Sequence, residues 1–140
     1  MPIHKEVKKE FFKYFGVREE VITTEIIEDF AEVYIKRKLR KHGYEIISGP
    51  GDGYDLKVRK GDEELYIEVK GRRRLSDIDL TPDQTKKAIE YKDRYIVIIV
   101  FNIPNEPRIS FIRDPAREIN FKLTISKEMI LQHIWQPTIN

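Results

Sequence analysis

The sequence predicts an α/β fold, with a mixed sheet of about four to six strands flanked by helices. Two alternating segments, over 54–59 and 64–70, are separated by the turn sequence at 60–63 and predict a β-hairpin. A nearly continuous apolar run over 95–101 predicts a central strand buried on both faces. The polar, helical segment over 82–92 therefore predicts a crossover between two parallel strands.

Composition points to a globular protein. The chain has 140 residues, which suits a single domain over 1–140. Apolar residues make up 40% and charged residues 36%, with a formal net charge of +2, so charge alone does not indicate a nucleic-acid binder. The absence of cysteine excludes disulfides and Cys-based zinc sites. No apolar run approaches the roughly 18 residues of a membrane helix and no signal peptide is evident, so we expect a cytoplasmic protein without a membrane partner.

Two helices and a strand are predicted before the hairpin. Apolar spacing predicts a short helix over 4–15 and a longer one from about Thr24 to His42. Thr23 or Thr24 is a candidate N-cap. The acidic residues of the longer helix come early and its basic residues late, which complements the helix dipole. A first strand is predicted over 44–47.

The elements after the hairpin follow from breaker residues and alternation. A polar connection over 76–79 leads into the crossover helix. The segment over 108–113 alternates as an edge strand, and the segment over 119–125 alternates again. The spacing over 126–135 predicts a short closing helix.

The hairpin carries the candidate site. On its second strand, Glu68 and Lys70 share the face opposite the apolar residues, roughly 6.6 Å apart along the strand. Antiparallel pairing brings Asp55 of the first strand beside them, while Tyr54 is predicted to share the other face with Leu56. Two acids and a lysine on one patch of sheet are typical of a metal-ion hydrolase. Carboxylates bind hard divalent cations, and an ammonium group orients or deprotonates a water molecule.

The same charges also fit a plainer interpretation, in which Glu and Lys pair on a solvated outer face of the hairpin. The buried run over 95–101 favours the first interpretation, because a sheet covered on both sides brings the charged row close to protein. Buried charges are kept when they are paired or bound to a metal.

An Asp, a hairpin and a Glu-x-Lys, after a helix with a Glu and before a crossover helix, resemble the PD-(D/E)XK nuclease superfamily. The pattern is most similar to the domain at the C-terminus of the plant protein NO VEIN, also found in many prokaryotic restriction and helicase proteins. Archaeal Holliday-junction resolvases and Mrr-type restriction nucleases share this core. The resemblance covers roughly residues 25–116, with additions at both ends. Two positions depart from the pattern: Tyr54 replaces the superfamily's Pro and Ala31 the group's usual Gly. The matching stretches are Ala31–Leu39, Gly43–Tyr44, Gly53–Leu56, Ile67–Gly71, Leu80–Asp83, Arg94–Tyr95, Ile112 and Asp114–Pro115.

The resemblance implies a restriction-endonuclease-like fold and a metal-dependent endonuclease that hydrolyses DNA. Asp55 and Glu68 would ligate Mg²⁺ or Mn²⁺, with the Val69 carbonyl as a further ligand. Lys70 would position the attacking water and stabilise the developing charge. Glu32 of the long helix would lie near the site.

Further residues have both a functional and a plainer interpretation. Glu28 lies one turn before the helix glutamate and competes for its role, yet both also complement the helix dipole. Gln84 would lie beside the metal or else be an exposed first-turn residue. Arg72, Arg73 and Arg74 would contact phosphates next to the scissile bond or else form a solvated loop.

Three functional classes stay open on the sequence. The first is the DNA endonuclease, acting as a homodimer or beside a helicase or restriction-system partner. The second is a catalytically silent nuclease-fold module for nucleic-acid binding or protein assembly. The third is an interaction domain that binds no nucleic acid. Metal binding separates the first two, and salt-dependent DNA binding separates the second from the third.

Overall fold

The structure, a computed structural model, describes residues 22–118 and 124–136. The predicted helix over 4–15 and most of the predicted strand over 119–125 lie outside these described residues.

The described residues form three α-helices, seven strands and two 3-10 turns, which confirms the predicted α/β class. Within these residues, no helix combines the length and apolar character that crossing a bilayer requires. In chain order the elements are α1 (Thr24–Lys41), β1 (Glu45–Ser48), β2 (Leu56–Lys60), β3 (Glu63–Gly71), β4 (Ile78–Asp79), α2 (Pro82–Tyr91), a 3-10 turn (Lys92–Arg94), β5 (Tyr95–Phe101), β6 (Arg108–Arg113), a second 3-10 turn (Pro115–Arg117), β7 (Thr124–Ile125) and α3 (Lys127–Gln132).

Five of the strands form one mixed sheet in the order β1–β2–β3–β5–β6. β3 and β5 run parallel, with Glu68 opposite Val97 and Lys70 opposite Ile99. The other neighbouring pairs are antiparallel. Helix α2 lies on the connection between the two parallel strands, so the predicted crossover is confirmed.

The sheet is covered on both faces. Every residue of β5 is buried, as its apolar run predicts. On one face, α1 contributes residues such as Ile27 and Ile35 to a core that includes Ile67 of β3. On the other face, Ala88 of α2 packs in a second cluster with Tyr95 of β5. Glu68, on the second face of β3, therefore lies beneath α2, where Gln84 contacts it.

Helix α1 begins at a threonine cap and lies very close to the end of β3. The Thr23 hydroxyl accepts a hydrogen bond from the Ile26 N–H at 3.2 Å, which serves an N–H group that lacks a helical partner. A Cβ on Gly71 would lie 2.7 Å from the Ala31 Cβ and 2.8 Å from the Ile27 carbonyl oxygen. Only glycine permits this approach, which fixes α1 beside the end of β3 that carries the site residues.

The predicted orientation of Tyr54 is wrong. Its ring packs edge-on against that of Tyr66, with ring centres 5.0 Å apart, and it belongs to the cluster under α2. Leu56 is buried on the opposite side, against α1. The reason is that β2 begins only at Leu56, and Tyr54 lies in a turn closed with Gly51, where strand alternation does not hold.

Two further local predictions are wrong. The segment over 76–79 is not simply a polar connection, because buried Ile78 forms a short strand that pairs with Ile125. The closing helix ends at Gln132, before its predicted end at 135. The Trp135 N–H instead donates to the Ile109 carbonyl at 2.8 Å, because pairing the free edge of β6 satisfies groups that a longer helix would leave unpaired.

Candidate active site

The hairpin brings Asp55 beside Glu68. Leu56 pairs with Ile67, and the N–H of Asp55 donates to the Ile67 carbonyl at 2.8 Å. The Oδ2 atom of Asp55 accepts a hydrogen bond from the Val69 N–H at 2.8 Å. The carboxyl group of Asp55 therefore bridges to the next strand and lies close enough to Glu68 for the two groups to affect each other's pKa.

Glu68 is a buried acid with three polar neighbours. Only 4% of its surface is exposed. Its Oε2 atom lies 3.5 Å from the Lys70 Nζ and accepts a hydrogen bond from the Gln84 Nε2 at 2.7 Å. The predicted convergence of Asp55, Glu68 and Lys70 is therefore present in the structure.

Burial and like charge raise the proton affinity of both acids. Burial, and then the negative charge of Asp55, raise the pKa of Glu68 from 4.5 to about 8, although Lys70 opposes the shift. Burial also raises the pKa of Asp55; the Val69 N–H opposes this shift, and the charge of Glu32 adds to it. The pair thus binds a proton more readily than isolated carboxyl groups do.

The cap of α2 orients the Gln84 amide toward Glu68. The Thr81 hydroxyl accepts from the Gln84 N–H, and the Gln84 Oε1 accepts from the Thr81 N–H at 2.9 Å. With its oxygen used by the cap, the amide presents its NH₂ group to Glu68. Gln84 is half-buried, so the interpretation of it as an exposed first-turn residue is wrong.

A glycine turn held by a tyrosine precedes Asp55. Gly53 has a left-handed φ of +81°, and a Cβ there would lie 2.5 Å from the Asp83 carbonyl oxygen, so the turn packs against α2. The fully buried Tyr95 donates its hydroxyl to the Gly53 carbonyl at 2.7 Å. This link is not evident from the sequence, because Tyr95 belongs to an apolar run and nothing in that run marks its hydroxyl.

We expect Tyr95→Phe to loosen the turn. The variant loses a partly buried hydrogen bond, which contributes about 1 kcal/mol to the free energy of unfolding. In hydrogen exchange, the Asp55 amide should exchange faster, whereas central amides of β5 should change only with global stability. Tyr44→Phe, which removes a hydroxyl on the α1 side of the sheet, is the control. Unchanged exchange at Asp55 in Tyr95→Phe would contradict the positioning role.

The two glutamates of α1 differ in their surroundings. Glu32 is half-buried, contributes negative charge at Asp55 and pairs with Lys36 at 3.2 Å. Glu28 is more exposed and faces the Nη1 of Arg72 at 3.4 Å. The structure therefore brings Glu32 electrostatically close to the carboxyl pair, and Glu28 to the arginine segment.

The three arginines also differ. Arg72 donates from Nη1 to the Gly71 carbonyl at 2.7 Å and to Glu28, so its guanidinium group is held by the protein. Arg73 and Arg74 are exposed and follow β3 into a loop.

The donor atoms fit a hard divalent cation. Asp55, Glu68 and the Val69 carbonyl supply oxygen, the ligand that Mg²⁺ and Mn²⁺ prefer. Burial, and then the charge of Asp55, make ionisation of Glu68 costly, and a bound cation would offset that cost. Across residues 22–118 and 124–136, no three Asp, Glu or His side chains cluster as a ready metal site. A cation here would thus need the carbonyl group and water to complete its shell.

Comparisons with known proteins place this geometry in context. Residues 27–112 match the family described as "Protein NO VEIN, C-terminal". The fold is similar to that of Hjc, a Holliday junction resolvase from the archaeal hyperthermophile Archaeoglobus fulgidus. The TM-score is 0.59, the sequence identity is 18%, and the match covers 75% of this chain and 88% of that chain. Among curated proteins, none matches this chain.

Proposed function

The chain belongs to the NO VEIN C-terminal family and has the fold of PD-(D/E)XK nucleases, and we propose that it is a divalent-metal-dependent endonuclease that hydrolyses DNA phosphodiester bonds. The observation that carries the proposal is the buried Glu68, which lies against Asp55, Lys70 and Gln84 with 4% of its surface exposed. Apolar residues in place of such a buried charged group are often neutral or stabilising, so its presence supports a role in binding or catalysis.

In the proposed mechanism, Asp55, Glu68 and the Val69 carbonyl would hold Mg²⁺ or Mn²⁺. When bound, the cation would supply Lewis-acid activation of water and neutralise charge on the phosphate group. Gln84 fixes the rotamer of Glu68 through its amide, and the cap of α2 in turn fixes that amide. Glu32 adds negative charge near Asp55, and this charge would help to attract the cation.

Lys70 acts on the reacting groups. Its Nζ is anchored 3.5 Å from Glu68, with its side chain largely buried. From this position it orients a water molecule for attack on phosphorus and stabilises the negative charge that develops on the phosphate oxygens. The new bond joins the water oxygen to phosphorus, and the P–O bond opposite it breaks. The water loses its proton to solvent, and the departing sugar oxygen takes up a proton from solvent and leaves as a hydroxyl group.

A cleavage assay tests the proposal. Supercoiled plasmid, linear duplex, single-stranded DNA and a four-way junction are incubated with Mg²⁺, Mn²⁺ or EDTA. The junction is included because Hjc is a Holliday junction resolvase. We expect cutting with either metal and none with EDTA. Lys70→Met should lower the rate by about 10²–10³-fold, whereas Lys60→Met, at the far end of the hairpin, should cut like wild type. Folded wild-type protein that cuts none of these substrates would contradict the proposal.

A silent nucleic-acid-binding module is the second candidate. It is favoured by the fact that the described residues bring together two carboxyl groups and not three around the site. DNA binding with a steep salt dependence but no metal-dependent cutting would support it. A protein that neither cuts nor binds DNA would instead be an interaction domain. Because a homodimer would bring one site to each strand of a duplex, the assay is paired with light scattering, which detects a homodimer on DNA. A helicase or restriction-system partner is the other arrangement that we propose to test.

A further inference from the structure

A cavity opens where β3 and β5 end, next to the candidate active site. Its volume is about 530 Å³, within the usual range for ligand sites. Two hydrogen bonds tie its walls together: the Arg72 N–H donates to the Val100 carbonyl at 2.8 Å, and the Ile103 N–H donates to the Arg72 carbonyl at 3.3 Å. The cavity is thus built on the ends of the central strands. Its lining residues are Arg73, Arg74, Asn102, Ile103 and Asn105.

The lining suits a phosphate group. It contains two guanidinium groups and two amides, and no carboxylate. Within residues 22–118 and 124–136, neither Arg73 nor Arg74 forms an ion pair, whereas the neighbouring Arg72 is held by Glu28. Guanidinium groups bind phosphate oxygens in a bidentate manner, and amides add neutral hydrogen bonds. The two arginines therefore have donors available for an anion.

The cavity lies at a defined spacing from Lys70. Arg73 follows Lys70 by three residues, so the two backbones are at most about 10 Å apart at about 3.3 Å per residue. Phosphates of one duplex strand advance about 3.4 Å along the helix axis per nucleotide. A strand with its scissile phosphate at Lys70 would thus pass the cavity within about three nucleotides of that phosphate.

We propose that this cavity binds a backbone phosphate of the DNA strand within about three nucleotides of the scissile bond, through Arg73 and Arg74, with Asn105 as a neutral donor. This deepens the proposed function and rests on it for the position of the scissile phosphate. Arg72 is a structural residue in this arrangement, because its guanidinium group serves Gly71 and Glu28.

The test is fluorescence anisotropy with labelled duplex and four-way-junction DNA in EDTA, over a series of NaCl concentrations. Without metal, binding is measured apart from hydrolysis. We expect Arg73→Ala and Arg74→Ala each to weaken binding several-fold and to reduce the slope of log K against log[NaCl] by about one. Asn105→Asp keeps both arginines but introduces a negative charge into the cavity, so it should also weaken DNA binding.

The matched control is Arg40→Ala, which removes one exposed positive charge near the far end of α1. Arg40 is thirteen residues after Ile27, which faces Gly71, so it lies about 20 Å away at 1.5 Å per residue. Wild-type affinity and salt slope in Arg73→Ala and Arg74→Ala would overturn the proposal, and so would an equal loss in Arg40→Ala. Thermal unfolding confirms that each variant is folded.

Inorganic phosphate distinguishes the source of the phosphate group. We expect no displacement of DNA by millimolar phosphate at constant ionic strength. The opposite result would be that phosphate binding requires Arg73 and Arg74 whereas DNA binding does not. The cavity would then be a site for a small anion and not for a DNA phosphate. If Arg73→Ala loses binding in a protein that never cuts DNA, the nuclease and the position relative to a scissile bond are refuted, whereas phosphate binding by the cavity is not. Wild-type cutting together with normal binding by both arginine variants would refute only the cavity proposal.

Discussion

Glu68→Gln should abolish cleavage without weakening the fold. The glutamine amide imitates the protonated carboxyl group, because its oxygen accepts from Gln84 and its NH₂ group lies where a proton shared with Asp55 would lie. It provides no negative charge for a cation, so we expect cleavage to fall by about 10³-fold or more. Above pH 8 the variant should be more stable than wild type, because a buried charge has been removed. The measurements are cleavage rates and denaturant unfolding.

Glu64→Gln is the matched control for this variant. Glu64 lies on the same strand and the same side as Glu68, four residues earlier, but it pairs with Lys57 and Arg59 at the surface. Its substitution should leave cleavage unchanged. If Glu68→Gln retains cleavage, or if both variants lose it equally, the buried acid is not a metal ligand in an active site.

The stability of the wild type should depend on pH through the same residue. The folded state binds the Glu68 proton more tightly than the unfolded state, because its pKa rises from 4.5 to about 8. This stabilisation is complete below pH 4.5 and is lost as pH rises toward 8, by up to about 1.4 kcal/mol per pH unit. The raised pKa of Asp55 adds a change of the same sign.

The contribution of Glu68 is isolated by subtracting the free energy of unfolding of Glu68→Gln from that of the wild type at each pH. Other titrating groups contribute equally to both proteins and cancel. The free energy of unfolding of the wild type should fall relative to that of the variant between pH 4.5 and 8. Saturating Mg²⁺ should restore the wild type near pH 8, since a cation stabilises the ionised pair and ligand binding raises folded-state stability. It should leave Glu68→Gln unchanged. If the difference in free energy of unfolding between the two proteins is constant with pH, Glu68 ionises normally. If Mg²⁺ does not change the stability of the wild type, metal binding loses its support.

Much of the fold and the centre of the site could be predicted because their signals are local. Period-two alternation fixes which residues of the hairpin face together, and Asp55 and Glu68 are only thirteen residues apart. The apolar run of β5 predicts burial on both faces, and the crossover follows from it. These features depend on spacing alone.

The parts that sequence analysis missed depend on contacts between distant segments. Nothing in the apolar run of β5 shows that the Tyr95 hydroxyl reaches Gly53, 42 residues away. Ile78 lies among polar residues, and its strand exists only because Ile125 pairs with it. Trp135 fits a helical spacing, but the unpaired edge of β6 offers backbone partners that the spacing cannot reveal.

The paired edge of β6 limits the addition of strands from other molecules to the sheet. An unpaired strand edge is a template for aggregation and for sheet-to-sheet association. Here the segment at Ile134 and Trp135 occupies backbone groups along β6. At the opposite edge, β1 is only four residues long and its pairing with β2 is interrupted by an irregularity between Ile46 and Ser48. A second copy would find little regular backbone to extend, so we expect any homodimer to form through side chains, leaving the five-stranded sheet of each copy separate.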